Sequence, residues 1–210
     1  MIISMSDILC VTNRALCGED FLSRVDKIAA CAPRAILLRE KDLSEEEYTA
    51  LARQILAVCA AHRAACILHG FVRPALLLKA EAFHAPLPAL RNMEKAEREH
   101  FAILGASCHS PEEAREAERL GCTYITAGHV FATDCKKDLP PRGIAFLRAV
   151  CAAVSLPVYA IGGICAQNVA AVRACGAAGA CVMSGAMMCE DPKAYFENLE
   201  KAGENDAVSC

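Results

Sequence analysis

Short apolar runs alternate along the chain with longer segments of helical period. The runs are DILCVTN (7–13), AILLRE (35–40), ACILHG (65–70), AFHAPL (82–87), ILGASCHS (103–110), TYITAGHVF (123–131), PVYAIGG (157–163) and ACVMSG (180–185). Their near-continuous apolar character, without polar alternation, is that of strands buried on both faces of a parallel sheet. Between them, SEEEYTALARQILAVCAAHR (44–63) and SPEEAREAERLG (110–121) read as helices. Ser44 with Glu47, and Ser110 with Glu113, form capping boxes, and Gly121 closes the second helix. Eight such strands, each followed by a helix within 210 residues, predict an α/β fold of the closed TIM (β/α)8 type over residues 1–210 as a single domain. No linker or low-complexity tract divides the chain, and only the tail GENDAVSC (203–210) reads as a frayed end.

A closed barrel tells where to look for chemistry, because such barrels carry their sites at the C-terminal ends of the strands. Those ends hold Thr12 and Asn13, Arg39 to Lys41, His69 and Gly70, His84, Ser107 and His109, His129, Gly162 and Gly163, and Ser184 and Gly185. AIGGI (160–164) and VMSGAM (182–187) each end a strand in a glycine-containing turn just before a helix. Bare N–H groups in such turns receive phosphate, and strands seven and eight form the usual phosphate corner of the barrel. A phosphorylated small molecule is the implied ligand. His129 ends the sixth strand, where a lone histidine is more often a hydrogen-bonded structural residue than a catalyst.

Composition narrows the class further. A hydrophobic fraction of 55% suits a sizeable core, and a net charge of −3 gives no electrostatic footprint for nucleic acid or an anionic membrane. The start, MIISMSDILCVTNR, turns polar too early for a secretory signal, and the longest apolar stretches fall far short of the roughly 20 residues that span a bilayer. A cytoplasmic protein with neither nucleic-acid nor membrane partners is expected. The 14 cysteines form no CxxC pair. Cys10, Cys59, Cys66, Cys151, Cys175 and Cys181 sit among Ala, Val and Leu and read as buried, reduced thiols. Cys135 differs, lying between Asp134 and Lys136 in the loop after His129, beside the positive charge that favours a thiolate. With no HxH, HExxH or CxxC spacing, no metal site is expected, and His62 and His100 read as surface residues.

Particular motifs then carry a resemblance. LLREK (37–41), AIGGI and VMSG resemble the strand-two, strand-seven and strand-eight signatures of the thiamine phosphate synthase superfamily over nearly the whole chain. GHVFATDCKK (128–137), followed by RG (142–143), is closely similar to the TenI branch, the thiazole tautomerases; in the synthases the His129 position is proline. Two acidic positions of the synthase pattern are missing. The strand-three "ND" is His69 and Gly70 here, and the strand-four "GQxD" falls in AFHAPLPAL, which has no acid. Leu37 replaces the synthase glutamine. Arg39, Lys41 and Lys136 match pyrophosphate-contacting residues of the synthases.

The resemblance implies a thiazole tautomerase of thiamin biosynthesis, which aromatises a dihydrothiazole carboxylate phosphate by proton transfer and needs no cofactor. It implies that His129 carries the proton, that Gly162, Gly163, Ser184 and Gly185 hold phosphate, and that Arg39, Lys41 or Lys136 orients the carboxylate. His69, His84, Ser107 and His109 are possible pocket-lining residues. Two alternatives stay open: a magnesium-dependent thiamine phosphate synthase, and a non-catalytic regulatory protein that binds the same kind of ligand. The resemblance also implies a homodimer.

Overall fold

The computed structural model describes residues 7–204, so the tail from 205 onward lies outside the described residues. Eight strands, β1 (Ile8–Val11), β2 (Ala35–Leu38), β3 (Cys66–His69), β4 (Ala82–Pro86), β5 (Ile103–Cys108), β6 (Tyr124–Gly128), β7 (Val158–Ile161) and β8 (Gly179–Val182), close in sequence order into a parallel barrel. The helices among the described residues are α1 (Phe21–Ala30), α2 (Glu45–Ala61), α3 (Val72–Leu77), α4 (Leu87–Asn92), α5 (Lys95–His100), α6 (Pro111–Arg119), α7 (Gly143–Ala153), α8 (Val169–Arg173), α9 (Ser184–Met188) and α10 (Pro192–Glu204). Closure is made by β8 on β1, with Leu9 opposite Cys181.

Alternate residues of each strand serve two separate cores, as the period of two requires. Leu9 and Val11 of β1, Leu37 of β2, Ile67 of β3, Tyr124 of β6 and Cys181 of β8 fill the barrel interior. Their neighbours Ile8, Cys10, Ile36, Leu68, Ile125 and Val182 point outward into the larger core beneath the helices. The strands are therefore largely apolar on both faces, which accounts for the long apolar runs in the sequence, while His69, His84, Ser107 and Thr126 break the inner face toward the cavity.

Several local expectations need correction. The strands are shorter than the apolar runs: β6 ends at Gly128, so His129 sits one residue beyond it, where the chain leaves the ladder. The capping box at Ser44 is complete. That at Ser110 is not: Ser110 Oγ accepts from Glu113 N at 3.2 Å, but Glu113 Oε2 accepts from His109 N at 2.5 Å. Gly121 does follow the helix end in the left-handed region, at φ +92°. Cys66 and Cys151 are half-buried rather than buried, whereas Cys10, Cys59, Cys175 and Cys181 are buried, and all described thiols are free. His62 and His100 are exposed. Among the described residues no helix is long and apolar enough to cross a membrane.

Candidate functional site

At the C-terminal mouth of the barrel lies a cavity of about 260 Å³. All twelve site residues expected from the sequence line it: Arg39, Lys41, His69, His84, Ser107, His109, His129, Lys136, Gly162, Gly163, Ser184 and Gly185. Val11, Leu37, Ile161 and Cys181 form an apolar floor continuous with the barrel core. Of the other polar strand ends, Thr12, Asn13, Glu40 and Gly70 do not reach it. Thr12 and Glu40 bond each other instead, at 2.7 Å.

Four of the six histidines stand on this wall, each in a different setting. His129 donates from Nε2 to the Leu139 carbonyl at 3.3 Å, and its own carbonyl accepts from Arg142 N at 3.0 Å, so the loop after β6 folds back over it. Its Nδ1 is left as the nitrogen with a lone pair. His109 is tied the opposite way: Nδ1 donates to the Gly128 carbonyl at 2.7 Å, and its backbone N–H is held by Glu113. Its free nitrogen is Nε2. His84 is buried, with Nδ1 2.9 Å from the Tyr124 hydroxyl and Nε2 2.9 Å from Ser107 Oγ. His69 stacks on it at a centroid distance of 5.5 Å. Burial, then the Arg39 and Lys41 charges, push the His69 pKa down to about 3, and burial followed by the His69 charge holds His84 far below the usual imidazole range. Both rings are neutral in the folded protein at physiological pH.

Positive charge is unbalanced here. Arg39, Lys41 and Lys136 line the cavity, none forms an ion pair among the described residues, and the wall carries no Asp or Glu. Burial, then the neighbouring Arg39 and Lys136 charges, lower the pKa of Lys41. The two acids beside Arg39 and Lys41 are turned away: Glu40 accepts from Thr12, from the Arg14 backbone N–H at 3.1 Å and from the Arg14 guanidinium at 3.3 Å, and Asp42 accepts from the same guanidinium at 2.7 Å. Like charges gathered without counterions form a site for an anion.

The glycine turn of β7 has a second duty that the sequence did not disclose. Gly162 and Gly163 have φ of +101° and +66°, a conformation that side chains resist. A Cβ on Gly162 would come 2.3 Å from His129 Cβ, and one on Gly163 would come 2.3 Å from the Ala132 carbonyl oxygen. The loop bearing His129 therefore rests directly on this turn. Across the corner, Ser184 and Gly185 open α9, where the first N–H groups lack partners within the helix.

Also missed by sequence reasoning were Tyr124, Thr126 and the carbonyl of Leu139. Tyr124 lies within an apolar strand and Leu139 in a proline loop, so neither carries a chemical signal of its own. Cys135 is exposed and lines the cavity beside Lys136.

Fold and site together define an α/β barrel whose mouth is built to hold a small anionic ligand among imidazoles. Residues 8–186 match the family described as thiamine monophosphate synthase, and the chain belongs to that family. It is similar to a protein named thiamine-phosphate synthase in Desulfitobacterium hafniense strain Y51, at 37% identity over 196 residues, covering 90% of this chain and 93% of the relative. A protein of the same name in Caldivirga maquilingensis is 35% identical over 169 residues, with coverage of 80% and 82%. Among solved structures, the thiamine phosphate pyrophosphorylase from Pyrococcus furiosus superposes with a TM-score of 0.81 at 30% identity, covering 94% of this chain and 95% of that one. These relatives carry the synthase name, which favours the synthase alternative over the tautomerase expected from the sequence.

A synthase implies magnesium, a hard cation that takes oxygen ligands, most often carboxylates. The donor set does not fit: the wall has no carboxylate, and Glu40 is committed to Thr12 and Arg14. Among the described residues no group of three or more His, Cys, Asp or Glu is placed to hold a metal ion.

Proposed function

We propose that this chain is an isomerase that aromatises a phosphorylated dihydrothiazole carboxylate by acid/base proton transfer at His129. One observation carries the reading: the cavity wall offers four imidazoles and three unpaired cations but no carboxylate. Such a wall suits a substrate with two anionic groups and a reaction that only moves protons. The phosphate would sit against the Gly162–Gly163 turn and the start of α9, and the ring carboxylate against Arg39, Lys41 or Lys136.

In this reading His129 Nδ1 takes the proton from the ring carbon bearing the carboxylate. The released electron pair moves through the ring to the exocyclic double bond, and a proton is delivered to the exocyclic carbon. No net oxidation occurs. The Leu139 carbonyl holds His129 Nε2–H and favours the imidazolium formed midway. General acid/base catalysis of this kind contributes roughly 10² to 10⁴ in rate.

A second reading is a thiamine phosphate synthase, joining a pyrimidine pyrophosphate to a thiazole phosphate. The names of relatives at 35 to 37% identity favour it. The two are separated by parallel assays: aromatisation with EDTA present, and condensation with magnesium present. Aromatisation alone supports the isomerase, whereas condensation without aromatisation would replace it by the synthase.

A further inference from the structure

Tyr124 lies inside the barrel, 5% exposed, and its hydroxyl has one partner among the described residues, His84 Nδ1 at 2.9 Å. A buried hydroxyl that only accepts leaves its own proton unsatisfied, at a cost of about 1 to 3 kcal/mol. Burial raises the Tyr124 pKa, so the phenol keeps that proton. The O–H must therefore donate to Nδ1, which puts the proton of the neutral His84 ring on Nε2. Nε2–H then donates to Ser107 Oγ, 2.9 Å away, and Thr126 Oγ1 donates to the same oxygen at 3.4 Å. With Thr126 as the donor of that pair, Ser107 Oγ receives two hydrogen bonds, and its own proton has no acceptor among the described residues. Ser107 lines the cavity, so a ligand bound there can accept that proton.

We propose that Tyr124 is a positioning residue which, through His84, makes Ser107 an obligatory hydrogen-bond donor to the bound ligand. The hydrogen bonds run in one direction, Tyr124 to His84 to Ser107 to ligand. The ligand group at this point is an acceptor such as a carboxylate oxygen or an unprotonated ring nitrogen, and an N–H presented there meets a second donor. Assigning that acceptor to the thiazole carboxylate rests on the isomerase reading above; the direction of the chain does not.

The test begins with the wild-type protein, by ¹⁵N-detected NMR of the His84 ring at neutral pH. The proposal expects the Nε2–H tautomer, with Nδ1 showing the shift of an unprotonated nitrogen. A ring carrying its proton on Nδ1, or a cationic ring, overturns it. Tyr124→Phe is then expected to abolish the single tautomer. In the aromatisation assay, Ser107→Ala and Tyr124→Phe are each expected to raise KM roughly tenfold, since a hydrogen bond to a charged group is lost. The double variant should be no worse than either single one, because both act on one bond. Additive losses would refute the coupling. An Nε2–H tautomer in a protein that does not aromatise the substrate would refute the isomerase reading and leave the fixed donor standing.

Discussion

Two neutral imidazoles at the mouth of the barrel make stability sensitive to mild acid. His69 has an ordinary pKa of 6.5 when unfolded and about 3 in the folded protein, so below pH 6.5 the unfolded chain binds a proton that the folded one refuses. Because the folded pKa is depressed, the contribution of His69 is fully present above pH 6.5. It is lost progressively as pH falls toward 3. Between pH 7 and pH 4.5 the difference amounts to roughly 2 to 3 kcal/mol, at about 1.4 kcal/mol for each pH unit below 6.5. The assay is urea unfolding of wild type and His69→Asn at both pH values. Carboxylates titrate in both proteins, and burial is the larger cause of the depressed His84 pKa in both, so the difference between them reports chiefly on the His69 ring. The expected outcome is that wild type loses roughly 2 to 3 kcal/mol more than His69→Asn. Equal losses would mean that His69 is neither buried nor crowded by Arg39 and Lys41 as described.

Three further outcomes follow from the same contacts. Gly162→Ala forces a Cβ to within 2.3 Å of His129 Cβ at a φ of +101°, and displacing the imidazole is expected to lower kcat of aromatisation by roughly 10²-fold; an unchanged kcat in steady-state kinetics would break the link between turn and histidine. Tyr48 Oη donates to the Leu38 carbonyl and accepts from His69 N, both at 2.8 Å, tying α2 to two strand ends. Tyr48→Phe should cost about 1 to 3 kcal/mol in urea unfolding, and an unaltered midpoint would show that the two backbone groups find other partners. Arg39→Ala should raise KM for the anionic substrate by about tenfold or more with little loss of stability, since no ion pair is broken. A fall in kcat alone would move Arg39 from binding to chemistry.

The barrel was legible because its strands are largely apolar on both faces, as a parallel sheet covered by helices requires, and because eight strand–helix units within 210 residues favour closure over an open sheet. Eleven of the twelve wall residues followed from a single rule, that the site lies where strands end; Lys136, in the loop after β6, came from the resemblance alone, and the same rule also named Thr12, Asn13, Glu40 and Gly70, which the wall does not use. What the sequence hid are partners set by register across the barrel. Tyr124 meets His84, 40 positions away, because β4 and β6 flank β5, whose Gly105 leaves space for the ring: a Cβ there would come 2.2 Å from Tyr124 Cζ. Glu113 read as the second arm of a capping box, yet it holds the His109 backbone, a choice made by a loop conformation rather than by spacing. His129 was visible as a residue, but the carbonyl that fixes its tautomer belongs to Leu139, ten positions away in a loop without local pattern.

The central claim is that the cavity moves a proton through His129 without a metal. The most direct measurement runs the aromatisation in D₂O with EDTA present and follows the product by ¹H NMR, for wild type and His129→Asn. The account predicts wild-type turnover with solvent deuterium on the former exocyclic carbon, and loss of turnover by at least about 10² in the variant. Absence of turnover in wild type, or undiminished turnover in His129→Asn, would contradict it.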